Sequence, residues 1–318
     1  MFSVKNEQSA AFEKVVLTDT IKKTQVTVLP ACGAILHSIN LHHNGNIINL
    51  LESYDSTEDF KVNAENKGFR NVKMSPFACR IKDAQYSYKG SAYTIEKFLL
   101  NGSAIHGLVY NEPFTVTRTW ADVNSAGVTL VYKYKATDKG YPFHFHCEVS
   151  YELKPGNTLL LKTRIINTDT NTIPVQDGWH PYFTFNTSIN DIELQFKSEA
   201  LVEFDASLVP TGKLIPFKTF NDFKQLGDTF FDNCFTLLQN YSGPACTLRN
   251  NALGLQVEIW PDASYPYLQI YTPPHRNSIA VENLSAAPDA FNNGMGVILL
   301  QPETSVQFTT EYKISSLN

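Results

Sequence analysis

Apolar and polar positions alternate along this chain in short patches, and nowhere in a long helical stripe. Val15–Thr18, Gln25–Leu29 and Ala34–Leu41 are each brief, rich in β-branched residues and bounded by turn formers. Ile47–Leu51 follows the turn Asn44-Gly45-Asn46. Gln85–Tyr88 and Ala92–Ile95 flank the turn Lys89-Gly90, after a short apolar step at Arg80-Ile81. Phe114–Trp120, Gly127–Ala136 and Phe143–Leu153 carry the period-two pattern of half-buried strands. Thr158–Asn167 follows the turn Lys154-Pro155-Gly156-Asn157, and Ile192–Lys197 and Gly254–Trp260 read the same way. The polar section Glu52–Lys67 reads as a turn of helix or as a loop over one end of a sheet. No dozen residues show helical spacing, no short repeat is present, and no Ser/Pro/Gly-rich linker divides the chain. The pattern predicts an all-β fold, one large antiparallel β domain spanning residues 1–318.

Composition narrows the function. Hydrophobic residues make up 43% and charged residues 18%, ordinary values for a globular chain and too apolar for a disordered one. The aromatic share of 12% favours strands and suits sugar binding, because aromatic faces pack on C–H patches. A net charge of −5 without a long basic run argues against nucleic acid and against an anionic membrane surface. Five scattered cysteines without a CxxC pair fit free thiols in a reducing compartment better than a disulfide framework or a zinc site. The N-terminus lacks a long apolar stretch after a basic start, and no segment reaches a membrane span, so a cytoplasmic protein is expected.

Two stretches carry candidate chemistry. The apolar run Ser278–Val281 ends in Glu282 and is followed by a turn-rich loop through Pro288, Asp289 and Gly294. A carboxylate at the end of a buried strand is held on a rigid element beside a loop that can shape a pocket, although such an acid can equally cap backbone amides. About a hundred residues upstream, His180 sits between Trp179 and Pro181-Tyr182-Phe183. Its charge there depends on neighbouring carboxylates, and a core histidine bonded to a carbonyl explains the local pattern equally well. His106 beside Gly107, Arg80 after Pro76-Phe77-Ala78-Cys79, Asp232 in FFDNCFTL and Gln269 in YLQIYTPP are further polar residues in apolar settings. Each alone is also explained by a structural hydrogen bond or ion pair. His144 and His146 share a strand face that could chelate a metal, but no third ligand has useful spacing, so no metal and no cofactor are expected. GxSxG, P-loop and GxGxxG motifs are absent.

Taken in order, the patches resemble the aldose 1-epimerases (mutarotases) over nearly the whole chain. The block Ser75–Ile81 with Tyr86–Tyr93 is similar to the family's N-R-I … G-x-x-Y, Ile105-His106-Gly107 to its H-G loop, and Gly178–Phe183 to its H-x-Y-F. Phe231–Phe235 is similar to D-x-x-F, Leu268–Thr272 to Q-x-Y-T, and Val281-Glu282 with Pro288–Asn292 to E … P-x-A-x-N. The resemblance implies a galactose-mutarotase-like supersandwich with a sugar cleft on one sheet. It implies Glu282 as the general base at the anomeric hydroxyl and His180 as the general acid at the ring oxygen. Arg80, His106, Asp232 and Gln269 would hold the sugar. A carboxylate near its usual pKa and a protonated imidazole suit that chemistry at neutral pH, each positioned group contributing roughly 10²–10⁴-fold. Cys79 stands where many members have asparagine, and Ser75-Pro76 replaces a glycine-arginine pair; both mark a divergent branch.

The partner expected is a small-molecule aldose, acted on by a monomer or homodimer. One alternative is a hexose-6-phosphate 1-epimerase, which needs a basic cluster at the cleft, with Lys73, Lys82 and Arg70 as candidates. The other is a non-catalytic carbohydrate-binding or sensing protein, which would tolerate loss of the acid or the base that this chain keeps.

Overall fold

The computed structural model describes residues 1–317. Two large antiparallel sheets dominate. The nine-stranded sheet runs in the order Thr115–Ala121, Ala126–Lys135, His144–Lys154, Thr158–Asn167, Ser305–Ser316, Leu255–Pro261, Cys246–Asn250, Glu193–Phe196, Lys224–Gln225. Its alternating sequence sorts the side chains: in His144–Lys154, Phe145, Cys147, Val149, Tyr151 and Leu153 are buried, and the residues between them are half-buried or exposed. His144 and His146 fall on the outer side of that strand, His144 beside Asp169 (Nδ1–Oδ2 3.3 Å).

The eight-stranded sheet runs Pro210–Pro216, Ser198–Phe204, Asp232–Leu237, Tyr267–Tyr271, Ile279–Leu284, Gly178–Trp179, Lys73–Met74, with Tyr182–Phe183 also paired to Ile279–Leu284. Every residue of Ile279–Leu284 is buried, because this strand is covered on both faces. One face contributes Phe235, Leu268, Ile270 and Val281 to the main core, which also takes Val257, Phe308 and Tyr312 from the nine-stranded sheet. Burying each such side chain contributes about 1.5–3 kcal/mol before entropy is counted. Residues of opposite parity, such as Cys234 and Leu284, join Phe69, Met74, Cys79 and Ile105 in a second, smaller cluster on the other face. A five-stranded N-terminal meander, Phe2–Gln8 to Asn46–Asn49, adds a further sheet.

The expected strands are present, mostly within a residue or two of their expected ends. Glu52–Lys67 takes the helical alternative at Thr57–Asn63, where Ser56 caps the first turn by accepting from the Asp59 amide at 3.0 Å. Several strands went unread in the sequence, among them Phe2–Gln8, Ser198–Phe204, Pro210–Pro216, Cys246–Asn250 and the twelve-residue Ser305–Ser316.

Candidate active site

Three neighbouring strands present one ladder of polar side chains on the face away from the main core. Cys234 lies opposite Gln269, and Gln269 lies opposite Glu282, while Asp232 sits two residues along the same strand as Cys234. Residues directly opposite in antiparallel strands point to the same side, so this register alone brings Asp232, Gln269 and Glu282 together. Gln269 Nε2 donates to Asp232 Oδ1 at 3.0 Å, and its own Oε1 is buried without a partner.

His180 arrives from the adjoining edge. Its backbone is held by Asn71 and Val72: the His180 amide donates to Val72 O at 3.1 Å, and the Asn71 amide donates to His180 O at 2.9 Å. The imidazole stacks on Tyr182 (centroids 5.2 Å apart, 9° between planes) and meets the His106 ring edge-on at 4.8 Å. Its Nε2 lies 3.4 Å from Glu282 Oε1, with both side chains almost fully buried. Cys79 Sγ is 3.9 Å from the other carboxylate oxygen.

The loop carrying His106 is tied to the Ser75–Arg80 segment. The His106 amide donates to Cys79 O at 2.7 Å, the Leu108 amide donates to Ser75 O at 2.7 Å, and Ile105 pairs with Arg80. Gly107 is required between them: its φ is +84°, and a Cβ there would stand 2.2 Å from Ser75 O. Phe69, Cys79 and His106 also hold left-handed backbone (φ 53–57°), a concentration of uncommon conformations typical of functional sites.

All six residues singled out in the sequence, Arg80, His106, His180, Asp232, Gln269 and Glu282, line one cavity of about 390 Å³. Arg80 reaches only Ser207 O, at 3.4 Å, and faces no carboxylate at ion-pair distance among the described residues. Tyr271, two residues along the strand from Gln269 and within the Q-x-Y-T block, also lines the wall, as do Phe204 at the end of the unread strand Ser198–Phe204 and the loop residues Leu208 and His275, for which the sequence offered no signal. Among the described residues no three His, Cys, Asp or Glu side chains come together as a metal cluster.

Burial decides the charges. It pushes the Glu282 carboxyl well above its usual value, with nearby Asp232 adding to the effect and Cys79 offsetting it slightly. Burial lowers His180 to about 4. His106 is pushed well down, by burial first and then by His180 and Arg80, and Asp232 is raised by burial against the pull of Arg80 and Gln269. The sequence expectation of an ordinary carboxylate facing a protonated imidazole is thus corrected: burial favours the uncharged forms of the pair.

The basic residues considered for phosphate are not a cluster in this cavity. Lys73 is wholly buried against Asp177, Lys82 extends to Asp205 (3.9 Å), and Arg70, which does line the cavity, is paired with Glu52 at 3.3 Å.

A profile of the family "Aldose 1-epimerase" matches residues 13–313. The chain belongs to this family. Membership makes it a protein of the epimerase kind, acting on a sugar. It is 26% identical to the uncharacterised protein YihR of Escherichia coli K12 over 240 residues, 72% of this chain and 73% of that one. In fold it is similar to a galactose mutarotase-like protein from Clostridium acetobutylicum (TM-score 0.84, 16% identity, covering 100% of this chain and 99% of that one). It is likewise similar to the galactose 1-epimerase of Lactobacillus acidophilus (TM-score 0.81, 19% identity, 100% and 99%). The fold is the all-β galactose-mutarotase-like sandwich. No helix among the described residues is long and apolar enough to cross a membrane.

Proposed function

We propose that the chain, working as one unit over residues 1–318, is an aldose 1-epimerase that interconverts the α and β anomers of an unphosphorylated sugar in this cavity. The observation that carries the reading is the 3.4 Å approach of His180 Nε2 to Glu282 Oε1 on the cavity wall, ringed by Arg80, His106, Asp232 and Gln269. The anomeric hydroxyl gives its proton to Glu282 while His180 delivers one to the ring oxygen. The bond between C1 and the ring oxygen breaks, and C1 becomes an aldehyde. After rotation about C1–C2 the ring hydroxyl adds to the other face, and the two side chains exchange roles. A bound sugar can favour the charged pair: its anomeric hydroxyl donates to the carboxylate and its ring oxygen accepts from the imidazolium. Hydrogen bonds to the charged forms favour those forms. Arg80, without a carboxylate partner, is free to donate to sugar hydroxyls. Among the described residues, Lys67 and Arg70 on the cavity wall are held in ion pairs by Asp59 and Glu52, which leaves Arg80 rather than a basic cluster for a phosphate and speaks against a hexose 6-phosphate.

Polarimetry of freshly dissolved α-D-glucose, α-D-galactose and other aldoses tests the reading. Wild type is expected to speed the approach to equilibrium rotation, and folded Glu282→Gln and His180→Asn to lose about 10²-fold or more of that rate. A wild type that binds these sugars yet is inert across the panel would turn the assignment to a sugar sensor.

A further inference from the structure

A charged cluster lies buried behind the cavity wall, and the epimerisation chemistry does not use it. Lys73 and Asp177 are both 0% exposed, with Nζ and Oδ2 2.5 Å apart. Lys73 also donates to the Gly178 carbonyl at 2.8 Å and lies 4.5 Å over the Trp179 ring, while Tyr265 OH donates to Asp177 Oδ2 at 2.6 Å. A buried ion pair often stabilises a fold no better than apolar residues of the same volume. Its connections here suggest a different use.

Asp177 touches the segments that carry His180 and Glu282 and the one that leads to Gln269. It stands three residues before His180. Its amide donates to Ser285 Oγ (2.8 Å) and its carbonyl accepts from the Ser285 amide (2.9 Å), three residues after Glu282. Its carboxylate takes Tyr265, just ahead of the strand that bears Gln269. Lys73, one residue from the Val72 carbonyl that holds the His180 amide, closes the junction from the fourth side. The geometry points to Lys73, Asp177 and Tyr265 as positioning residues that set the separation of His180 from Glu282. None of them lines the cavity, so they act through backbone placement. This inference rests on the roles assigned to His180 and Glu282 above.

Three variants test it: Tyr265→Phe, Asp177→Asn and the charge-free double variant Lys73→Met/Asp177→Leu. The double variant removes both charges and avoids stranding one. In folded protein the KM for the sugar stays within about twofold while kcat falls about tenfold or more, since a small misplacement of reacting groups is costly in rate and the sugar-holding side chains are untouched. Imidazole ¹⁵N signals, with that of His180 identified by its loss in His180→Asn, give a readout free of turnover. The titratable groups facing His180 are Glu282, His106 and Tyr182, and the variants alter none of them. In Tyr265→Phe, which removes no charge, a changed His180 titration midpoint therefore reports a changed distance to those groups; in the other two variants the lost charge also contributes. That readout stands even if wild type turns over no aldose, an outcome that would count against the proposed function alone. Folded variants with wild-type kcat and an unmoved His180 titration would overturn the inference and leave the cluster a stabilising one. If the double variant does not fold, Tyr265→Phe, which removes a single hydroxyl, and Asp177→Asn decide the matter.

Discussion

The Glu282 carboxylate meets two side chains that can donate to it, His180 at 3.4 Å and Cys79 at 3.9 Å, and a thiol is a weak donor. The other titratable groups facing it are Asp232, Cys234 and Tyr182, which repel a negative charge or find one costly. The carboxyl is therefore left to hold its proton. An amide at position 79 would donate a stronger bond to the carboxylate, and asparagine tolerates the left-handed backbone there (φ +53°) better than cysteine does. Cys79→Asn is expected to keep its stability and to move the Glu282 limb of the kcat/KM pH profile toward acid; a limb that stays put would show that Cys79 does not tune the acid. In wild type the acid-side fall in kcat/KM should come near pH 4, where the pair takes up a second proton on His180.

Elements bring these residues together, and they differ in how plainly the sequence announces them. Ile279–Leu284 was legible as an apolar run ending in an acid, and His144–Lys154 as strict alternation. Ser305–Ser316 buries Phe308, Thr310, Tyr312 and Ile314 at period two, so its signal was present, diluted by the threonines and charges between them. Lys73–Met74 could not be read. It is two residues long, and a lysine speaks for the surface until its partner 104 positions later is known. The six site residues were legible through the resemblance of their motifs, each too weak alone. The walls from Leu208 and His275 depend on loop paths that no local pattern encodes. Where elements meet most tightly, a single methyl should tell. Gly107→Ala places a Cβ against Ser75 O in a left-handed backbone, and is expected to cost about 2 kcal/mol or more in denaturant unfolding while weakening sugar affinity by displacing His106. An unchanged midpoint would mean the two loops separate freely.

Across the whole molecule, buried neutral histidines set the acid limit. His37, which pairs with Ser53 Oγ at 2.6 Å, is lowered to about 4, as His180 is, by burial above all. The unfolded chain takes up protons near pH 6.5, and the folded one does so only near pH 4. Between those values the unfolded state binds more protons, so stability falls as the pH falls, by about 1.4 kcal/mol per pH unit for each such histidine. The raised carboxyls of Glu282 and Asp232 contribute with the opposite sign, so the test is a difference: in thermal melts from pH 7 to 4, His37→Asn, which keeps a hydrogen-bonding side chain near Ser53, should lose less stability per pH unit than wild type. An equal slope in the variant would exclude His37 as a source.

The ladder of Cys234, Gln269 and Glu282 has a consequence for how such a protein can change. Slipping either neighbouring strand by one residue would turn its rung into the hydrophobic core, so the polar row and the folded sheet stand or fall as one specification. Drift in the chain therefore has no intermediate state in which the row is half assembled. New sugar preferences have to be written in the loops around it, at positions such as Leu208, His275 and Pro288, where a change of shape leaves the register untouched.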